Sequence, residues 1–488
     1  MDFTNLPLHE LAAWVNSNPD LLDEMPKDFS TQCSKSQNLQ IFISFNPHNL
    51  FQDVVGVKET LRQGKELPLA GATVALADNI CTMDSVTTCA SGMLSTYKHP
   101  FQARLVEKLQ AKGAFMVGKT NMEEFGLGAS GGSSHFGETK NPWDPSRSAG
   151  HGAAAATATL VTLALASDAC GEARQSATYC GVVSLKPSYG RISRKGVIDY
   201  APSLAQPGIM ARSVRDLALA LEHTAGDDPA DPTTLQIPVP AYTSLLNQDK
   251  KQTFRVAVLE NWDEAPGLEE KVRDAFEGQL ASLKNAGLEI ESVPLKSFQE
   301  AYLAAAVISA VEAFSSLANF DGVRFGLRGE GKSLQEMYIS TRTEGFSSKI
   351  KEFLTFGALV SNEEYYQDYY LKSQKMRARL KQELRTCLEQ YDLLLTPAVP
   401  FAAPLLAESR GSWPLPDPAC YFTAAANLSG LPALTFPAYA APGLPAGLQL
   451  MGRFGDETTL LQAALRIEKE NPLQLPEHEQ GFNDQGVC

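Results

Sequence analysis

Short apolar runs alternating with helical stretches constrain the fold of this chain more than any other feature. Val74-Ala75-Leu76, Phe115-Met116-Val117, Val256-Ala257-Val258 and Leu393-Leu394-Leu395 have the length and composition of buried strands, with amphipathic segments between them. Strands separated by helices are joined by crossovers, which favours a mostly parallel mixed sheet covered by helices on both faces, an α/β fold. The 44% hydrophobic and 20% charged residues supply a sizeable core and exclude the profile of a disordered chain. The 488 residues read as one large domain, since sheets of this class run longer than the usual domain length.

Local patterns refine this layout. Leu8, Leu11, Ala12 and Val15 fall at helical spacing, and Pro19 and Pro26 punctuate the residues after them, so a short helix and then a loop are expected. Ala153 to Ala166 is the most apolar run and reads as one buried helix. Its small residues and its length, below the roughly 20 residues that span a bilayer, argue against a membrane segment. Residues 226–240, dense in Asp and Pro, form a surface connection. Residues 264–287 and 365–389 read as amphipathic helices with solvated polar faces, and 397–418 as irregular and Pro-rich. The chain divides into an N-terminal segment over 1–38, a main domain over 39–472 and a polar tail over 473–488.

Composition also excludes functions. A formal charge of −14 without any basic run argues against direct nucleic-acid binding, which needs clustered Lys and Arg. Eight cysteines without a CxxC pair and seven histidines without an HExxH pair provide no metal-ligand spacing, so neither a metal nor a cofactor is expected. The acidic N-terminus lacks a cationic region followed by an apolar one, and the thiols read as reduced, so a cytoplasmic location without a membrane is expected.

Five stretches carry a more specific signal. They are Leu67-Pro-Leu-Ala-Gly-Ala-Thr-Val-Ala-Leu-Ala-Asp-Asn-Ile80, Val117-Gly-Lys-Thr-Asn-Met-Glu-Glu-Phe-Gly126, Asn141-Pro-Trp-Asp-Pro-Ser-Arg147, Ser167-Asp-Ala-Cys-Gly-Glu-Ala-Arg-Gln-Ser-Ala-Thr-Tyr-Cys-Gly-Val-Val183 and Leu185-Lys-Pro-Ser-Tyr-Gly-Arg191. In this order they resemble the amidase signature family. Glu336-Met-Tyr-Ile-Ser-Thr-Arg-Thr-Glu-Gly-Phe346, Tyr369-Tyr-Leu-Lys372 and Gly443-Leu-Pro-Ala-Gly-Leu-Gln-Leu-Met-Gly452 narrow the resemblance to the A subunits of tRNA-dependent amidotransferases.

The resemblance implies an amidase-signature fold and places a reaction site. Such enzymes use a serine nucleophile, a bridging serine and a lysine base, with backbone N–H groups stabilising the oxyanion. The positions so implied hold Glu172 for the nucleophile and Ala77 for the lysine. The bridging position is Gly152 when counted from Asn141–Arg147, or Ser148 when counted back from Asp168. Two glutamine-anchoring positions hold Cys420 in one case and Glu352-Phe353 in the other.

Asp168, Arg174 and Gln175 are expected to tie the loop to the sheet, Asp78 and Asn79 to organise a turn, and Ser148, His151, Cys170, Asp168, Arg174 and Cys420 to line what is left of the pocket. The expectation is therefore no enzyme but a catalytically inactive, amidase-like interaction, scaffold or regulatory component. Its partner would be a protein, either a B/C-type amidotransferase subunit or a second copy. Two alternatives stand beside it: a structural A-type subunit of a tRNA-dependent amidotransferase complex, and a repurposed amidase or transferase using Cys170 and His151.

Overall fold

The computed structural model describes residues 6–45, 47–248, 253–409, 415–438 and 443–476. Its centre is an 11-stranded sheet. The strands are β1 (Phe42–Phe45), β2 (Thr73–Ala77), β3 (Phe115–Thr120), β4 (Leu163–Asp168), β5 (Val183–Lys186), β6 (Gln206–Ala211), β7 (Phe254–Leu259), β8 (Leu288–Val293), β9 (Leu393–Pro397), β10 (Ala433–Ala438) and β11 (Ala446–Gly452). In space they run β1-β3-β2-β4-β6-β5-β10-β11-β9-β7-β8.

All four apolar runs singled out in the sequence lie within strands, namely β2, β3, β7 and β9. The sheet is mixed, but its parallel share is smaller than the sequence suggests. Parallel pairing joins β2 to β3 and β4, and β7 to β8 and β9, while the strands between these wings run antiparallel. The connection from β10 to β11 shows why: it is too short for the crossover of a dozen or more residues that parallel neighbours need.

Two local expectations are corrected. The run from Ala153 to Ala166 is not one helix: the helix Gly152–Thr159 ends and β4 begins at Leu163. β4 pairs with β2 on one side and β6 on the other, and these sheet partners override the helical preference of an alanine-rich segment. At the N-terminus, the segment expected to be a loop holds a second helix, Met25–Lys35, after the first one, Leu8–Ser17. Pro26 sits in its first turn, where a missing N–H leaves no intrahelical bond unmade. The Leu8 and His9 N–H groups donate to the Asp216 carboxylate at 3.1 Å, fastening this segment to the helix Val214–Thr224.

The remaining long helices follow the sequence pattern. Glu270–Asn285 and Lys372–Gln390 are amphipathic, as their spacing predicts, and 226–240 contains no regular element. Ala301–Asn319 is the one helix among the described residues long and apolar enough to cross a membrane; half of that apolar window is buried inside the fold.

Candidate functional site

β4 ends in Asp168, a three-residue loop follows, and Glu172 opens the helix Glu172–Cys180. Gly171 makes the turn possible. Its φ of 115° is one that side chains rarely adopt, and a Cβ placed there would run into the Thr423 side chain.

Below the loop lies a buried ionic frame. The Arg174 guanidinium donates to both Asp168 oxygens, Nε at 2.9 Å and Nη2 at 2.8 Å, and reaches Asn427 at 2.5 Å, the Thr423 carbonyl at 3.2 Å and Gln449. Asn427 closes the ring by donating to Asp168 at 2.9 Å. Burial works against the Asp168 charge, but Arg174 outweighs it and holds the carboxyl below its ordinary range. Gln175 ties the same loop to the Ala419 carbonyl at 3.1 Å and to Thr423 at 3.0 Å. Asp168, Arg174 and Gln175 thus occupy the tethering places expected of them.

Glu172 has different partners from those its sequence neighbours suggest. Its Oε2 accepts from the backbone N–H of Ala169 at 2.8 Å and of Cys170 at 2.9 Å, and its Oε1 accepts from the Tyr200 hydroxyl at 2.6 Å. The two amides form a small anion-binding nest at the helix N-terminus, where the backbone dipoles favour negative charge. Burial nevertheless dominates. With the neighbouring Asp168 charge it pushes the Glu172 carboxyl up to about 7, against the pull of Tyr200 and the amides. Arg174 is committed to Asp168, and His151 Nε2 faces the Gly128 carbonyl, 3.3 Å away, so neither pairs with Glu172.

A cavity of about 20 Å³, room for about one water, lies against this carboxyl. Cys170, Glu172, Tyr200, Phe353, Asp417 and Cys420 contribute to its wall, and the helix starting at Ala301 contributes Tyr302, Ala305, Ala306 and Ser309. Of the six residues foreseen for the pocket, only Cys170 and Cys420 line this cavity, beside Glu172 and Phe353, while Asp168 and Arg174 lie in the ionic frame. Ser148, His151 and Ala77 are buried but do not line the cavity, and Glu352 is exposed. Ala77 ends β2 within the apolar core. The Ser148 hydroxyl accepts from the Gly150 N–H at 2.9 Å, and the Gly152 N–H donates to the Asn121 carbonyl at 2.7 Å; neither residue touches the Glu172 carboxyl. Burial lowers the proton affinity of the His151 imidazole, and its Nε2 bonds the Gly128 carbonyl rather than Cys170.

Asp78 and Asn79 do organise the turn after β2. Asp78 accepts from the Thr88 N–H at 2.8 Å and pairs with Lys119 at 3.1 Å, and Asn79 reaches Ser167 at 2.7 Å. Tyr200 escapes a reading of the sequence. It lies 28 residues from Glu172 in no recognisable motif, and only the fold puts its hydroxyl on the carboxyl.

Comparison with known proteins fits this architecture. The family profile named Amidase matches residues 31–461. The chain belongs to the amidase family. Within it, the chain is 38% identical to the glutamyl-tRNA(Gln) amidotransferase A subunit of Moorella thermoacetica, over 96% of this chain and 97% of that one. It is 39% identical to the protein of the same name from Thermosynechococcus vestitus, over 89% and 91%. The crystal structure of the glutamyl-tRNA(Gln) amidotransferase A subunit from Thermotoga maritima superposes with a TM-score of 0.80 at 31% identity, covering 98% of this chain and 99% of that one.

These amidase-family relatives correct the expectation of a catalytically inactive scaffold, drawn from Ala77 and Glu172. Matched along almost their whole length, they are named as subunits of an amidotransferase, which favours the alternative of an A-type subunit and points to an enzyme. Ala77 and Glu172 then describe which groups this pocket offers.

Proposed function

We propose that this chain is the A-type subunit of a tRNA-dependent amidotransferase assembly and that it handles an amide in the pocket at Glu172. The relationship to subunits of that name along nearly the full chain carries this reading. The intact frame of Asp168, Arg174 and Asn427 beneath the pocket supports it.

In this proposal Glu172 is the acid–base group. Its proton affinity near neutrality suits proton transfer, and the cavity beside it accommodates one water. The carboxylate takes a proton from that water as the water oxygen attacks the amide carbon, and passes it to the leaving nitrogen. Such transfer typically contributes about 10²–10⁴ to a rate. Tyr200 orients the carboxyl. The cavity wall from Leu415 to Cys420 must move for a substrate larger than water to enter, and we assign that opening to docking of the B- and C-type partners.

The test is co-expression with B- and C-type subunits, followed by purification through a tag on this chain. Stable copurification is expected, with ammonia release from glutamine by the assembled complex that Glu172→Gln reduces at least about 100-fold. Failure to associate, or release from the complex no higher than a buffer blank, refutes the proposal.

A further inference from the structure

Two thiols face the cavity from segments far apart in sequence. Cys170 lies in the loop before the helix Glu172–Cys180, and Cys420 ends the 3₁₀ turn Pro418–Cys420. Both line the one-water cavity with Glu172, and they are only 6% and 8% exposed. The Cys170 thiol is near enough, together with burial, to hold the Cys420 thiol well above its ordinary range.

The backbones that carry them are also fastened together. The Thr423 hydroxyl donates to the Cys170 carbonyl at 2.7 Å, and Gln175 Nε2 spans the Ala419 carbonyl at 3.1 Å and the Cys420 sulfur at 3.6 Å. Nothing in the acid–base chemistry proposed for Glu172 uses either sulfur. Packing alone would be met by one small apolar residue at each position, whereas a mutual thiol pair walling a titratable carboxyl is a reactive arrangement.

We propose that Cys170 and Cys420 form a reversible redox pair, which a small hydroperoxide converts to a disulfide across the floor of the pocket. Cys170 is the thiol attacked first. Its sulfur takes one oxygen from the hydroperoxide as the Glu172 carboxylate accepts the thiol proton and passes it to the departing oxygen, giving a sulfenic acid and releasing water or an alcohol. The Cys420 sulfur then displaces hydroxide from the sulfenic acid. That hydroxide leaves as water with the Cys420 proton, and the S–S bond forms. Two thiols are oxidised and one peroxide O–O bond is reduced. Enclosure selects the oxidant: the closed cavity holds about one water, so a small hydroperoxide enters as the wall from Leu415 to Cys420 yields, and bulky disulfides such as oxidised glutathione are excluded. Reduction by a small dithiol restores the pair.

The order of attack follows from the surroundings. The neighbouring Cys170 thiol and burial hold the Cys420 thiol protonated, so it acts as the resolving partner. The cross-link would clip the loop holding Glu172 to the segment that has to move for a substrate to enter.

The test uses the full-length protein, reduced, exposed to hydrogen peroxide, then blocked with N-ethylmaleimide and mapped by peptide mass spectrometry. The expected product is a Cys170–Cys420 cross-linked peptide, formed with the loss of two of the eight thiols and reversed by dithiothreitol. In Cys420→Ser the sulfenic acid at Cys170 has no resolving partner, so a dimedone adduct accumulates there and not in the native protein. A first cross-link between other cysteines overturns the proposal. So does Cys170 proceeding to sulfinic acid while Cys420 stays free, or equal dimedone labelling in both proteins. The cross-link is read without any activity assay, so it stands or falls separately from the amide chemistry.

Discussion

Glu172→Gln tests the electrostatics of the pocket, because Gln keeps the shape of the side chain and removes only the titration. The native carboxyl is pushed from its ordinary 4.5 up to about 7, chiefly by burial. In the unfolded chain the same group loses its proton near its ordinary value, so the native state holds a proton that the unfolded state has given up between those two pH values. The stability tied to the protonated form is therefore complete below about pH 4.5 and is lost as pH rises to about 7. A shift of this size corresponds to roughly 3 kcal/mol at about 1.4 kcal/mol per unit. At about 2.1 cal/mol/K of unfolding entropy per residue, 488 residues give ~1 kcal/mol/K, so roughly 3 °C in Tm.

Asp168 and Tyr200, which interact with Glu172, titrate below and above the range from about pH 5 to 8, so within it the difference between the two proteins isolates Glu172. Melting curves measured by near-ultraviolet circular dichroism at several pH values between 5 and 8 should show the Gln variant gaining on the native protein by about 2–3 °C across that range. The gain should level off above about pH 7, where the native carboxyl is ionised. A difference that stays constant with pH would mean that Glu172 is solvated in both states, and the account of a carboxyl enclosed by its nest and Tyr200 would be wrong.

Two further substitutions probe the support beneath the pocket. Asp168→Asn leaves the Arg174 guanidinium buried without its counter-charge and should destabilise the protein by about 3–5 kcal/mol in a urea titration; a loss under about 1 kcal/mol would show that the pair is not enclosed. Gly171→Ala forces a side chain into a backbone of φ 115° and against Thr423, and should lower stability by about 1–3 kcal/mol or more while weakening the hold of the loop on Cys170. An unchanged urea midpoint for Gly171→Ala would mean that the loop relaxes freely.

Much of the framework is legible in the residues. Strands β2, β3, β7 and β9 follow from apolar runs, because a buried strand needs little besides length and apolarity. Burial of Asp168, Arg174 and Gln175 follows from their motif, and their mutual bonds are those a charge removed from water requires. The alanine-rich stretch after Gly152 misleads because alanine favours a helix, and only pairing with the neighbouring strands overrides that preference from Leu163 on. The second N-terminal helix stays hidden because Pro26 reads as a breaker unless its place in the first turn is known.

The sequence by itself determined the α/β frame, the position of the loop after β4 and the kind of residue at each place in it: a carboxyl at 172, a methyl at 77 and thiols at 170 and 420. Local pattern carries such information because strand length, helix period and turn chemistry act over a few residues. Only the tertiary structure decided what the carboxyl does. The nest at Ala169 and Cys170 depends on the loop geometry that Gly171 permits, and the Tyr200 hydroxyl and the Cys420 thiol arrive from segments 28 and 248 residues away in sequence. Proton affinity and thiol pairing are properties of an enclosed volume, and that volume exists only once the sheet and the helix beginning at Ala301 have closed around it.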